Sequence, residues 1–416
     1  MTFVKNNSCN KCLDVALSAD REEQAGSSRK RTAIVYLVTC AISVALVGHL
    51  RIPSRVTPLA AASGLLTPSV GSAKAKPRRS AMDDKGNQVM KTVHGLRSVC
   101  YLIVVTVHCV AGAGVVHAVD RTLSGHTGST TGLDWHPDGE SLACGCFDKT
   151  IGIWDLKTGK RQRTLSGHTH YVYCVAWNRD GTKLASASYD QSVRVWDTNT
   201  GREIHKFIGH TAPVLGVVWS PDGSKLASGS LDKSVRVWDT AIGRNLHVLQ
   251  GHTHYVISVD WSPDGKRLAS GGFDNTVKLW DPGSGEEVRT LKGHTGAIEM
   301  VSWSRDGTKL ASGGRDLTAI VWAMPAGNQL RVLKGHTRRI ESVSWSRGDL
   351  QLATGSQDGT VKVWDVATAK MLHTLTGHDK PVRGVTWSPD GQVLASGSDD
   401  HSIKLWDMSR RDRNPK

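Results

Sequence analysis

From residue 125 to residue 407 the chain alternates short apolar runs with polar turns, and it does so on a fixed beat. In one copy VYCVAW, KLASAS and SVRVWD are short runs rich in β-branched residues, separated by the turn sequences NRDGT and YDQ. Runs of this length bounded by Gly, Asn and Asp predict β-strands joined by hairpins. The beat is 42 residues: Gly-His recurs at His126, His168, His210, His252, His294, His336 and His378. A Trp follows twenty-eight residues after each, from Trp154 to Trp406. One such small sheet alone would leave both faces apolar and exposed. Stacking seven of them radially buries the faces, and closing the ring hides all but short outer edges. The last copy stops after its third strand at Trp406-Asp407, while HAVDRTL precedes the first Gly-His. Residues 117–123 are therefore predicted to complete the last sheet, with an all-β domain over 115–407, an extension over 1–114 and a basic tail over 408–416.

A period of this size with GH near the start and WD near the end resembles the WD40 repeat, and the resemblance covers roughly residues 120–407. It implies a seven-bladed β-propeller of four-stranded blades, of a family that includes G-protein β subunits, chromatin readers and ubiquitin-ligase adaptors. The leader carries no long heptad helix and no convincing F-box, and the repeats stay so near consensus that they do not choose a subfamily.

Every repeat after the first also carries a Ser or Thr eighteen residues after its His, and every repeat has an Asp four beyond that position. The sets His168, Ser186, Asp190 and Trp196; His210, Ser228, Asp232 and Trp238; and His252, Ser270, Asp274 and Trp280 illustrate it. Ser, His and Asp together invite a hydrolase reading, and three features oppose it. The set recurs in repeat after repeat where one site would serve. No repeat places the Ser on a GxSxG elbow. The accompanying indole N–H, once buried, needs an acceptor, and a hydroxyl that passes the bond on to imidazole and carboxylate satisfies all four groups. In the family resembled, the matching residues form a structural tetrad of this kind. The Asp column is complete, but Thr354 and Cys144 stand in the Ser column, and a thiol is a weak donor and acceptor. Repeat one is thus expected to have a weak tetrad. Repeat five ends Trp322-Ala323 and has Ala319 in a strand position usually Val or Ile, so looser packing is expected there. Repeat six reads Arg347-Gly348-Asp349, which alters a hairpin and is not taken as a recognition motif.

Shared columns report the scaffold, and unshared columns report what is displayed. Three columns vary freely: three after the His, five after it, and immediately before the turn Asp. They hold Phe147 in repeat one; Tyr171, Tyr173 and Tyr189 in repeat two; Leu215 and Leu231 in repeat three; and Tyr255, Ile257 and Phe273 in repeat four. Repeats five to seven contribute Arg315, Arg339 and Arg383, with Glu299 and Glu341. Six of the seven Tyr and Phe of the repeat region sit in these columns, with only Phe207 elsewhere. In the family resembled, these positions face the top rim of the channel, where peptides commonly bind. The expectation is an apolar half on blades one to four and a polar half on blades five to seven, suited to a peptide with an apolar anchor and acidic groups nearby.

Charge narrows the partners. Residues 1–119 hold 15 Lys and Arg against 6 Asp and Glu; the remainder holds 37 against 32, a balance of +5. The repeat region is nearly neutral, so no broad basic face for nucleic acid is expected. Eight Cys fall without a repeating framework, which suits a reducing, intracellular compartment, and Cys9 and Cys12 form a lone CxxC. No metal site or cofactor is expected. Residues 33–47 are apolar behind Arg29-Lys30-Arg31, short of the roughly 20 residues that span a bilayer. Residues 99–119 are apolar but broken by His108 and His117. The expected function is a non-enzymatic scaffold binding a protein or peptide through its top face. A scaffold tethered to a membrane by residues 33–47 is the alternative, with a chromatin-associated or ubiquitin-ligase adaptor behind it.

Overall fold

A computed structural model describes residues 115–117 and 120–409 of the 416-residue chain. These form seven sheets arranged as the blades of a closed propeller. Blade two shows the pattern: Val172–Trp177 lies innermost, followed outward by Lys183–Ser188, Ser192–Asp197 and Glu203–Ile208, all antiparallel. The two middle strands are buried along almost their whole length, whereas the outer strand alternates toward solvent. Each core cluster joins two successive blades: Ala187, Val193, Val195 and Phe207 of blade two pack against Val214, Val217 and Trp219 of blade three. Inner strands approach so closely that a Cβ on Gly132 would lie 2.6 Å from the Cα of Cys174.

The turn between the second and third strands is built by its Asp. In blade two, Asp190 Oδ1 accepts from the Ser192 N–H at 3.1 Å and the Ser192 hydroxyl at 2.5 Å. That clamp lets the next residue, Gln191, take a left-handed φ of 68°. Lys149, Lys233, Asn275, Leu317 and His401 repeat the same conformation.

Closure uses a shorter strand than the sequence suggests. Arg121–Ser124 pairs antiparallel with Ser402–Asp407 as the outer strand of blade seven, burying Leu123. His117 does not belong to it: Val115–His117 runs parallel beside Met371–Leu375 and makes a fifth strand of blade six. At the seam the Thr130 hydroxyl lies 3.1 and 3.0 Å from the carbonyls of Ser398 and Ser402 and accepts from the Ser398 N–H at 2.7 Å. The apolar runs at 33–47 and 99–114, the CxxC and most of the tail lie outside the described residues. Among the described residues no helix is long and apolar enough to cross a membrane.

In blade five, Ala319 and Trp322 are fully buried, and the break in pattern shows beside them. Met324 and Pro325 line a cleft of about 670 Å³ against Leu279 and Val288 of blade four. In repeat six, Asp349 is buried and accepts the backbone N–H groups of Arg305 and Asp306 at 3.0 and 2.9 Å. It staples two blades together, which explains its place in the altered hairpin.

Candidate functional site

The innermost strands carry a β-bulge at their channel-mouth end. Register shifts between Val172 and Cys174, Val214 and Gly216, Val256 and Ser258, Ile298 and Met300, Ile340 and Ser342, and Val382 and Gly384. The skipped residues are Tyr173, Leu215, Ile257, Glu299, Glu341 and Arg383, with Thr131 in the matching irregularity of blade one. A bulge re-aims a side chain out of the ladder. Here it turns one freely varying column toward an axial cavity of about 240 Å³ that these seven residues line.

The structure divides the aromatic residues into two groups. Phe147 stacks on Tyr171 at 4.5 Å between ring centroids, and Tyr173 lies 6.1 Å from both Phe147 and Tyr189. On blade four, Tyr255 and Phe273 stand 5.8 Å apart. Between them blade three supplies Leu231, half-buried at the rim, and Leu215, which with Ile257 is only 5% exposed. Leu215 and Ile257 are therefore channel wall and not displayed surface. Tyr171, at 36% exposure, is the most open of the rings. Two residues that sequence reasoning passed over join these groups. His170 lies 4.3 Å from Tyr171 and 5.5 Å from Tyr189, and His254 lies 4.3 Å from Tyr255. The available signal was the reading GHTH, which only repeats two and four carry.

The charged side is a continuous relay. Arg315 Nε donates to Glu299 at 2.6 Å, Arg339 Nε to Glu341 at 2.6 Å, and Arg383 reaches Glu341 at 3.2 Å and Asp399 at 2.7 Å. Each of the three arginines has an acid partner, so they are committed inside the protein. That corrects the expectation that they wait for acidic groups of a peptide. Burial, and then the neighbouring Glu341, push the Glu299 carboxyl up to about 7 against the pull of Arg315 and Arg339. Burial pushes the Tyr173 hydroxyl strongly up, reinforced by the charges of Glu341 and Glu299. The Arg315 guanidinium also lies over the Phe273 ring at 4.3 Å, joining the relay to the aromatic side. Deeper in the channel, Asp134 and Asp260 accept the backbone N–H groups of Trp177 and Trp303 at 2.7 Å each. Burial raises both carboxyls to about 7. Sequence reasoning did not single out these two acids.

The tetrads are assembled as hydrogen-bonded chains. In blade two, Trp196 Nε1 donates to Ser186 Oγ at 2.9 Å, His168 Nε2 meets that Oγ at 2.7 Å, and His168 Nδ1 meets Asp190 at 2.8 Å. Blade three repeats this through Trp238, Ser228, His210 and Asp232, and blade four through Trp280, Ser270, His252 and Asp274, at 2.7 to 2.8 Å. Burial pushes the Asp190 carboxyl up, but hydrogen bonds from His168 and Ser192 outweigh it and hold it well below the usual range. Ser186, Ser228 and Ser270 are fully buried and already hold an indole N–H, so none presents a nucleophile. Blade one is the exception. His126 Nδ1 keeps Asp148 at 2.8 Å, but Cys144 turns its thiol to the carbonyl of Gly145, and His126 Nε2 and Trp154 Nε1 are buried without partners.

Comparisons with known families agree with this architecture. A model described as WD domain, G-beta repeat matches residues 118–155, 159–197 and 201–239. A model described as WDR19 first beta-propeller matches residues 256–411. No curated protein matches the chain.

Proposed function

The chain belongs to the WD40-repeat family, whose propellers are generally protein-interaction scaffolds, and from that premise we propose that it binds a protein partner through the aromatic arc of its top rim. The observation that carries this reading is the contrast at the channel mouth. Tyr171, Phe147, Tyr189, Tyr255, Phe273 and Leu231 keep apolar surface open around the cavity, while the facing charges are matched internally. Large partly open aromatic side chains gathered on neighbouring elements are the usual anchors of an interface. The chain acts without catalysis: its Ser, His and Asp sets are consumed in the scaffold. The three described cysteines are free thiols, in keeping with an intracellular protein.

The test is capture of partners by the full chain beside a Tyr171→Ala, Tyr255→Ala, Phe273→Ala variant matched for melting temperature. Partners held by the first and lost by the second support the reading. Equal capture by both refutes it.

A further inference from the structure

Blade one departs from its neighbours at three adjoining positions. Cys144 replaces the tetrad hydroxyl, Cys146 stands where blade two has Ser188 and blade three has Ser230, and Gly152 stands where blades two and three have Arg194 and Arg236. Each change bears on His126. In blades two to seven the imidazole is pinned at both nitrogens, by carboxylate and by hydroxyl. In blade one only the Asp148 bond remains, and Nε2 is buried without a partner in a side chain that is 1% exposed. A Cβ on Gly152 would lie 2.7 Å from Nε2, so the Nε2 side of the ring is closely packed, and it is Nδ1 that faces Asp148 at 2.8 Å.

One ring nitrogen of His126, the Sγ of Cys146 and a carboxylate oxygen of Asp148 lie within 4.8 Å of one another. No other group of three or more metal-ligating side chains so close together occurs among the described residues. We propose that blade one binds one thiophilic divalent cation, of which zinc is the natural choice, through His126, Cys146 and Asp148. Sulfur, imidazole nitrogen and carboxylate oxygen are the ligands zinc takes, and three protein ligands leave a fourth position for water. A thiolate, a carboxylate and a dication sum to zero charge, which suits a half-buried site. Cys146 loses its proton to solvent as the metal enters, so affinity rises with pH. In blades two and three the place of Cys146 is taken by a hydroxyl, a poor zinc ligand, so blade one is the one that sets sulfur beside its His–Asp pair. The sequence alone hid this group, because twenty residues separate His126 from Cys146 and their neighbourhood exists only across the turn.

Cobalt titration tests the proposal, because a thiolate on Co²⁺ gives a charge-transfer band. The full chain is used with Cys9 and Cys12 changed to Ser, so that the leader pair does not contribute. One equivalent of Co²⁺ is expected to saturate the band and Zn²⁺ to displace it. Cys146→Ser, which installs the hydroxyl of blades two and three, is expected to abolish the band with the melting temperature retained. Cys144→Ser gives His126 Nε2 a hydroxyl on the side of the ring away from Cys146 and is expected to raise the melting temperature and leave the cobalt band in place. A missing band, or one that survives Cys146→Ser, overturns the proposal.

Discussion

On blades one, two and four the rim carries rings that leave edges and faces in solvent, whereas on blades five to seven it carries ions that are already paired with one another. The backbone device is the same on both sides, a bulge in the innermost strand that points a side chain at the channel mouth. What differs is how much bonding capacity remains once the chain has folded. Arg383 uses Nε and Nη2 on Asp399 and Nη1 on Glu341. Tyr171, by contrast, packs one face on Phe147 and leaves 36% of its surface open. A count of arginines along the sequence therefore overstates the attraction of this rim for acidic groups. The residues left with something to offer are the aromatic ones.

The largest expected effect lies on the charged side. Glu341→Ala removes the acid shared by Arg339 and Arg383 and leaves two guanidinium groups facing each other. A loss of about 3 kcal/mol in denaturant unfolding is expected, because removing one partner of a buried pair leaves uncompensated charge. An unchanged midpoint would make the relay decorative and would erase the contrast between the halves. Next comes Leu215→Ala, which trims the channel wall and should cost about 2 kcal/mol. A negligible cost would return Leu215 to the displayed surface.

Glu299→Gln gives a pH signature. The Glu299 carboxyl titrates near 7 in the folded chain, above its ordinary value of 4.5, so the folded state holds a proton that the unfolded state releases. Its contribution is fully present below 4.5 and is lost as pH rises through about 7. The Gln variant should therefore match the parent near pH 4 and exceed it by a growing margin as pH rises toward 8. A variant that instead weakens steadily with rising pH would place an ionised Glu299 at the centre of the relay. The smallest stability effect is expected for Tyr171→Ala, about 0.5 kcal/mol, from the loss of one stacked pair at a half-open site. A loss of 2 kcal/mol or more would make Tyr171 core and would sharply weaken the functional reading.

The seven blades were legible because everything that makes a blade is local. Strand runs, turn Asp and capping Trp recur within 42 residues, and tetrad partners such as His168, Ser186 and Asp190 are linked by their spacing alone. The rim was legible as a set of positions but not as a set of contacts. Arg383 meets Glu341 one full repeat away, and the bulge that brings them together is a backbone irregularity with no residue type of its own. Val115–His117 pairs parallel with blade six, a contact that no alternation of polar and apolar residues announces. Leu215 and Tyr173 come from the same column and both line the channel, yet Tyr173 also joins a ring cluster. Only the neighbours decide that.

The most direct test of a partner on the aromatic arc is site-specific photo-cross-linking in the full chain. A cross-linking phenylalanine analogue replaces Tyr171 in one protein and Ile242 in another. Ile242 is 60% exposed in the turn between the third and fourth strands of blade three, at the opposite end of the strands from the rim. A covalent partner is expected from position 171 and none from 242, and the first is expected to disappear when Tyr255 and Phe273 are changed to Ala. Cross-linking from 242 with none from 171 would contradict it and move the interface to the other face.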